Sequence, residues 1–369
     1  MRIAFVTEHY YPSPGGITEH VYHLGRHLVR RGHDVTVITS STGAPDGVPE
    51  DLRVEYVGRS RPIYSNGSVA RCTTSVAAVR RLRELLGDGR FDVTHIQSPL
   101  VPTIPLLAAH LTRGVCVGTF HTHFTSNPWM RLFQPYLRGV VERLDGAIAV
   151  SHNAARSVKL YFDIDCRVIP NGVDLDWFAA GRPIERFDDS VPTLLFVGRF
   201  DPRNRLEVLL EAFAQVRRHR RARLVVLGDG PGRHHYEAMV PRDLRGDVHF
   251  EGTVLRRQPD YYRTAAVFCF TAAIASMPTT VLEAMAAGSP IVAFDIDGIE
   301  RVLTHGEEAL LVADGDSTAM ARATETLLDD PALAHRLGQT ARARAAAQFS
   351  WGRLAAEIEG YYTDLLERA

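Results

Sequence analysis

The sequence has few of the features that would place it in a specialised class of protein. Only 4 cysteines occur among the 369 residues, and they are far apart, so neither a disulfide framework nor a zinc site is indicated. The formal net charge of -1 at pH 7 gives no overall field that would attract nucleic acid. No apolar run approaches the length of a membrane span, and the opening residues indicate a first strand rather than a signal peptide. We therefore expect a soluble, cytoplasmic protein that binds no nucleic acid.

The sequence also lacks the pattern Gly-x-Gly-x-x-Gly, which argues against a nicotinamide or flavin site. Its composition is that of an ordinary globular protein, with 45% hydrophobic and 23% charged residues. The length is typical of two domains.

Short strand-forming runs recur along the chain with helical stretches between them. This alternation predicts α/β domains with doubly wound, Rossmann-like parallel sheets. The predicted strands are 3–7, 34–39, 54–57, 93–97, 115–119, 147–151 and 167–169 in a first series, and 193–197, 223–227, 248–250, 267–270, 291–294 and 310–312 in a second. We expect a first domain over 1–175, a polar linker, and a second domain over 190–350, with the two domains facing each other across a cleft.

The segment 268–293 contains a complete strand–loop–helix–strand unit, with the helix ending at Gly288. In such sheets ligands bind at the carboxyl ends of the strands, where a helix N-terminus offers free N–H groups to an anion. Glu283 is the one carboxylate nearby, and we place it in the first helical turn. Two interpretations remain open: Glu283 stabilises the positive end of the helix, or its two oxygens accept hydrogen bonds from a ribose diol.

Three further strand-end loops carry candidate ligand-binding residues. Gly15 and Gly16 precede a helix and could let the backbone approach a phosphate or sugar, or could simply form a tight turn. His121 follows the fifth strand and either hydrogen-bonds a sugar hydroxyl or has a structural role. Arg199 follows the first strand of the second series and either contacts a diphosphate or pairs with Asp201.

These motifs together resemble the retaining nucleotide-sugar glycosyltransferases of family 4, which have the GT-B fold. The resemblance covers almost the whole chain. Within the family, the phosphatidylinositol mannosyltransferases of actinobacteria look most similar. The motifs that carry the resemblance are PGG at 14–16, TFHT at 119–122, AVS at 149–151, IPNGVD at 169–174, VGRFDPRN at 197–204, GDGP at 228–231, LEAMAAGSP at 282–290 and FSW at 349–351.

The resemblance implies a role for each of these sites. Glu283 would bind the donor ribose, Arg199 the diphosphate, and His121 the donor sugar, while the final helix, 351–369, would return to the first domain. His121 and Arg199 are thus the candidate catalytic residues. The complete set of candidate donor-binding residues is Gly15, Gly16, Arg199, Asn204, Arg205, Gly230, Ser276, Met277, Pro278, Thr279, Thr280 and Glu283.

Two positions depart from the family pattern. Ala275 occupies the place of the first glutamate of the usual Glu-x7-Glu motif, and Asn204 replaces a phosphate-binding lysine, for which Arg205 could substitute. These departures leave open the alternative of a degenerate protein that only binds sugar nucleotides. A sugar-nucleotide 2-epimerase of similar shape is the third hypothesis.

The resemblance also implies the reaction partners. The donor would be GDP-mannose or a UDP-hexose, the acceptor a hydroxyl of a lipid, glycan or small polyol, and no metal or other cofactor would be required. The helix predicted over 73–86 has a basic face, which we interpret as a solvated surface, with a peripheral contact at the inner membrane face as the alternative.

Overall fold

The structure, a computed structural model, describes residues 1–12, 15–41, 51–65, 68–73, 75–122, 128–254, 257–274 and 276–369. The chain forms two compact units. The first unit comprises Met1–Asn171 together with Trp351–Ala369, and the second comprises Gly172–Ser350.

The first unit is built on a seven-stranded sheet with helices between the strands. Its strands are β1 (Arg2–Thr7), β2 (Asp34–Ser41), β3 (Arg53–Arg59), β4 (Arg61–Ser65), β5 (Ser68–Cys72), β6 (Val93–Gln97), β7 (Val115–Phe120), β8 (Gly146–Ala149) and β9 (Arg167–Val168). Its helices are α1 (Gly16–Arg30), α2 (Val76–Leu86), α3 (Ile104–Leu111), α4 (Pro128–Val141) and α5 (His152–Lys159).

The sheet order in this unit is β3-β2-β1-β6-β7-β8-β9, and every pairing is parallel. The strands β6, β7 and β8 are buried throughout, as expected for a sheet covered by helices on both faces. Outside the sheet, β4 and β5 form an antiparallel hairpin that the sequence patterns did not predict.

The second unit is built on a six-stranded parallel sheet. Its strands are β10 (Thr193–Val197), β11 (Arg223–Leu227), β12 (Val248–Gly252), β13 (Val267–Phe270), β14 (Ile291–Asp295) and β15 (Leu310–Ala313). Its helices are α6 (Leu175–Ala179), α7 (Leu206–His219), α8 (Arg233–Met239), α9 (Gln258–Thr264), α10 (Thr279–Ala287), α11 (Ser317–Asp329) and α12 (Pro331–Gln348). The last helix of the chain, α13 (Trp351–Leu366), belongs to the first unit.

Both sheets have a position where the chain order reverses, between β1 and β6 in the first unit and between β10 and β13 in the second. Ligands of doubly wound sheets bind outside the carboxyl ends of the strands at such switch points. The predicted fold class, with two doubly wound parallel sheets, is confirmed.

The segment predicted as a linker has a different structure. It begins with α6, and its side chains Phe178, Ile184 and Phe187 are buried in the core of the second unit. The small number of large apolar residues among many polar ones made this segment look like a linker. Across the described residues, no helix is both long and apolar enough to cross a bilayer.

Candidate donor and acceptor sites

Glu283 lies on α10, at the carboxyl edge of the second sheet. The helix begins at Thr279, after Pro278, and ends at Gly288, whose φ of 71° is in the left-handed region that glycine tolerates. Glu283 is therefore the fifth residue of the helix, beyond the first turn predicted for it. Because the helix dipole acts mainly within the first turn, its stabilisation is a weak explanation for this glutamate.

Two side chains of α9 hold the Glu283 carboxylate in place. The hydroxyl of Tyr262 and the amide Nε2 of Gln258 each donate to Glu283 Oε2 at 2.7 Å. Tyr262 is buried, and both its burial and the charge of Glu283 raise the pKa of its hydroxyl well above 10.0. The phenol therefore stays protonated and serves as a donor. This arrangement fixes the rotamer of a half-buried acceptor at the ligand-binding edge of the sheet.

The N-terminal turn of α10 is a potential anion site. No side chain of the described residues caps it, so its first N–H groups can bind a ligand. Of the predicted loop, Ser276, Met277, Thr279 and Thr280 are half-buried and Pro278 is buried. Ala275 lies outside the described residues.

Arg199 follows β10, the strand on the other side of the switch point. Its side chain is 64% exposed, and its Nη2 is 3.8 Å from Asp201 Oδ2. Arg203 makes the closer pair with Asp201, with Nε and Nη2 donating to the two carboxylate oxygens at 3.0 Å and 2.7 Å. These hydrogen bonds lower the pKa of the Asp201 carboxyl. Since Asp201 already has a bidentate partner, a structural pairing explains Arg199 poorly.

The side chains of Asn204 and Arg205 interact within the protein. Asn204 Nδ2 donates to the carbonyl oxygen of Arg199 at 2.7 Å, so the residue in the place of the family lysine supports the Arg199 backbone. Arg205 has a left-handed conformation, with φ 48° and ψ 44°, and its Nη1 is 2.5 Å from Asp314 Oδ1. The role of both residues in donor binding stays a prediction.

The glycines after β11 are explained by close packing of loops. A Cβ at Gly228, which has a φ of 130°, would lie 1.9 Å from the carbonyl oxygen of Gly198, and a Cβ at Gly230 would lie 3.0 Å from that of Phe200. The contact at Gly228 is too short for any side chain, and the contact at Gly230 is tight. The loop therefore supports the Arg199 loop, and a direct contact between Gly230 and the donor stays a prediction.

In the first unit, His121 follows β7 and lies in a buried polar cluster. Its Nε2 is 2.6 Å from Gln97 Oε1, which only accepts, so Nε2 carries the proton. Its ring is 5.0 Å from that of His20 in an edge-to-face arrangement. Burial, and secondarily the neighbouring histidines, lower the pKa of His121 well below 6.5. His121 is therefore a neutral imidazole, as the sugar-binding interpretation requires.

His20 on α1 completes this cluster. Its Nδ1 donates to Asn171 Oδ1 at 2.9 Å, and its ring packs 5.4 Å from Trp351 at the start of α13. Burial lowers the pKa of His20 to about 4, against a smaller raising effect of the Asn171 bond. In the described part of the protein, the buried Nε2 of His20 and Nε2 of Gln97 have no hydrogen-bond partner.

Gly15 immediately precedes α1, at a position where the described residues of the first unit leave room for a side chain. Its backbone is extended, and an added Cβ would meet no atom within 4 Å among the described residues. Neither a left-handed φ nor a crowded Cβ therefore explains Gly15. Gly16 is the first residue of the helix, while Ser13 and Pro14 lie outside the described residues.

Sequence reasoning missed the residues that support these sites. They are Tyr262 and Gln258 behind Glu283, and His20, Gln97 and Asn171 around His121. Asn171 lies in a quoted motif, and His20 lies one helical turn after Gly16, so both had a signal in the sequence. Tyr262 and Gln258 had none, since only the tertiary fold brings α9 beside α10.

Comparison with known proteins places the chain in a family. Residues 14–177 match the profile of Glycosyltransferase Family 4, and residues 191–330 match that of Glycosyl transferases group 1. The chain is 34% identical to a phosphatidyl-myo-inositol mannosyltransferase of Mycolicibacterium smegmatis, over 98% of this chain and 93% of the relative. The chain belongs to glycosyltransferase family 4. It is a glycosyltransferase, as the motifs predicted.

Two further proteins extend the comparison of this family 4 enzyme. It is 29% identical to a D-inositol 3-phosphate glycosyltransferase of Xylanimonas cellulosilytica, over 100% of this chain and 97% of the relative. It is also similar to the crystal structure of HepE from Anabaena in complex with UDP-glucose, with a TM-score of 0.76 and 19% identity over 99% of this chain and 100% of that one. The structural match at this identity concerns the fold, which is GT-B.

Proposed function

We propose that this glycosyltransferase moves a hexose, with mannose from GDP-mannose as the first candidate, to a hydroxyl of an inositol-bearing acceptor, with retention of the anomeric configuration. The observation that carries the proposal is the Glu283 carboxylate, which Tyr262 and Gln258 hold at the carboxyl edge of the second sheet. Similarity over the whole chain to a mannosyltransferase supports the choice of sugar.

The donor nucleotide would bind to the second unit. Glu283 would accept hydrogen bonds from the two ribose hydroxyls, because a carboxylate has two oxygens with lone pairs to spare after the bonds from α9. The diphosphate would lie against Arg199 and the N–H groups at the start of α10. Together these groups would stabilise the negative charge that develops on the leaving diphosphate, so that no metal ion is required.

The transfer step would need no protein nucleophile. The acceptor hydroxyl would attack the anomeric carbon from the face that the diphosphate leaves. The bond between that carbon and the phosphate oxygen breaks as the new glycosidic bond forms, and the hydroxyl proton passes to the leaving phosphate oxygen. Catalysis would then consist of positioning and charge stabilisation. His121, being neutral with its proton on Nε2, would accept a hydrogen bond from a sugar hydroxyl at Nδ1 without adding charge.

The acceptor is proposed from the names of two relatives. A phosphatidyl-myo-inositol mannosyltransferase and a D-inositol 3-phosphate glycosyltransferase are both named for compounds that contain inositol. Of the acceptors that the sequence left open, an inositol lipid or a soluble inositol phosphate is favoured over a glycan. A lipid acceptor would also account for a peripheral contact with the membrane.

A second donor candidate is a UDP-hexose, because the structurally similar HepE is seen with UDP-glucose.

A protein that only binds sugar nucleotides is disfavoured, since the relatives are named as transferases. Asn204, one of the two departures behind that alternative, has a structural partner in the Arg199 carbonyl.

The test is a matrix of donors and acceptors. The purified protein is incubated with GDP-mannose, UDP-glucose or UDP-galactose and with phosphatidylinositol or inositol phosphate, and the nucleotide and the glycoside are quantified. We expect product from GDP-mannose with one of the inositol compounds, and an α-linkage by proton NMR. A β-linkage would overturn the proposed retention. Product formed only from a UDP-sugar would replace GDP-mannose as the proposed donor. Stabilisation of the protein by a nucleotide without any product would favour a protein that only binds sugar nucleotides.

A further inference from the structure

The helix α4 carries a concentrated exposed apolar surface. Of the 9 large hydrophobic side chains that are exposed in the described part of the chain, three lie on this helix: Leu132 at 67%, Phe133 at 50% and Tyr136 at 58%. Such a cluster is costly to leave in water, unlike apolar residues scattered singly over a surface. The cluster therefore points to a partner.

Two arginines border this surface. Arg131 and Arg138 are exposed and seven residues apart on α4, so nearly two helical turns place them on the same side of the helix. The helix contains no acidic residue, and neither arginine forms an ion pair with any residue that the structure describes. We name the surface formed by Arg131, Leu132, Phe133, Tyr136 and Arg138 the α4 surface.

The helix predicted to be basic, α2, has more of its charge paired and a smaller exposed apolar surface than α4. Its Arg80 and Arg81 pair with Glu84 on the same helix, and Arg81 also pairs with Glu55 of β3 at 3.0 Å. Val76 is its one exposed large hydrophobic residue among those described. The charges of Arg80 and Arg81 are thus paired within the protein, whereas Arg83 has no ion pair among the described residues. The helix therefore differs from α4 mainly in its smaller exposed apolar surface.

We propose that the α4 surface binds an anionic lipid membrane. Aliphatic and aromatic side chains beside arginines that have no ion pair with the described residues match the boundary between acyl chains and anionic headgroups, where a helix lies parallel to the bilayer. Tyrosine fits this depth because one end of its ring is polar, and long arginine side chains reach the headgroups from beside the apolar cluster. The charge complementarity favours a membrane over a second copy of this chain, whose net charge is only -1.

The place of α4 in the fold connects this surface with catalysis. The helix begins at Pro128, eight residues after β7 ends at Phe120, and His121 follows that strand directly. The exposed apolar residues are the fifth, sixth and ninth of the 14 residues of α4, so they lie around the middle of the helix. The helix itself follows the carboxyl edge of the sheet, where His121, Gln97 and His20 form their cluster. This proposal rests on the proposed function only in taking the acceptor to be a lipid.

Vesicle binding by the full-length protein tests the proposal. Vesicles of phosphatidylcholine alone, or mixed equally with phosphatidylglycerol, are sedimented with the wild type and three variants. These are the apolar variant Leu132→Ser/Phe133→Ser/Tyr136→Ser, the charge variant Arg131→Gln/Arg138→Gln, and the matched α2 control Val76→Ser/Arg80→Gln/Arg81→Gln. Each arginine near an anionic surface contributes about 1 kcal/mol, so the charge variant should lose at least about tenfold in partitioning.

We expect the wild type to bind the anionic vesicles, the apolar and charge variants to lose that binding, and the α2 control to retain it. Absence of wild-type binding would overturn the proposal, as would loss of binding in the α2 control alone. Self-association that both α4 variants abolish in the ultracentrifuge would show a second copy as the occupant and also overturn it.

Measuring nucleotide binding and turnover in the same variants distinguishes a failure of the membrane proposal from a failure of the proposed function. Nucleotide binding and turnover with a soluble inositol acceptor should be unchanged in both α4 variants. Vesicle binding that depends on the α4 surface, in a protein without turnover on any inositol compound, would support the membrane proposal while overturning the proposed acceptor.

Discussion

The two units place different chemistry at the same edge of the same kind of sheet. In the first unit the two histidines near the carboxyl edge, His20 and His121, are held uncharged by burial. The acidic side chain that follows β1, Glu8, is also buried, and its oxygens already accept hydrogen bonds from the hydroxyls of Ser40 and Thr73. In the second unit the candidate groups are ionic, with a carboxylate at Glu283 and an exposed guanidinium at Arg199. The difference supports the proposal that the second unit would stabilise charge on a diphosphate, whereas the first would recognise uncharged hydroxyl groups.

The largest effect should come from the guanidinium of the second unit. Arg199→Ala should lower kcat/KM by about 100-fold or more, because removal of one charge-stabilising donor typically costs about 3 kcal/mol in the transition state. Steady-state kinetics with saturating acceptor measures this. The control is Arg203→Ala, whose side chain is bound to Asp201 and should matter less than tenfold. Equal losses in the two variants would mean that the loop, and not the Arg199 charge, is important.

The neutral cluster of the first unit should make folding sensitive to acid. The pKa of His20 is about 4 in the folded protein and 6.5 in an unfolded chain, so the unfolded state binds a proton in that range and the folded state does not. The free energy of unfolding should therefore fall as pH decreases from 6.5 toward 4, by on the order of 3 kcal/mol for this residue. Urea denaturation followed across this range measures the slope.

His20→Gln should reduce this pH dependence by the share that His20 contributes, while His121 still contributes to it, although the substitution lowers stability at neutral pH. The control is His234→Gln, since the His234 side chain is 98% exposed in the second unit. An unchanged slope in His20→Gln would show that His20 does not remain neutral, and the contrast between the two units would weaken.

A smaller effect should distinguish the two adjacent tyrosines of α9. Tyr262→Phe removes one donor to Glu283 and should weaken donor binding about fivefold, since a typical hydrogen bond contributes about 1 kcal/mol. Tyr261→Phe is the matched control, because the Tyr261 hydroxyl donates to Glu251 at 2.8 Å. Isothermal titration with the nucleotide compares them. Equal affinities in the two variants would show that Tyr262 does not orient Glu283.

The strands of both sheets could be predicted from the sequence because they are short, apolar and separated by amphipathic helices. The positions of Glu283 and Arg199 could also be predicted. Arg199 follows a strand of the second sheet directly, and Glu283 lies on the helix that follows another strand of the same sheet. The hydrogen bond from Asn204 to the Arg199 carbonyl could not be predicted. In the sequence, an asparagine in place of the family lysine shows only that a positive charge is missing. Phe178, Ile184 and Phe187 were misread for a related reason: three widely spaced apolar residues give no periodicity.

The most direct test of the account measures how Glu283 recognises ribose. The melting temperatures of the wild type and of Glu283→Ala are compared with GDP and with 2′,3′-dideoxy-GDP, and with the UDP pair if GDP does not bind. A ligand at one hundred times its dissociation constant stabilises by roughly 2.7 kcal/mol, which a thermal melt resolves easily. We predict that the wild type prefers the ribonucleotide and that Glu283→Ala binds both weakly without preference. An undiminished preference for the ribonucleotide in Glu283→Ala would contradict the role assigned to this carboxylate.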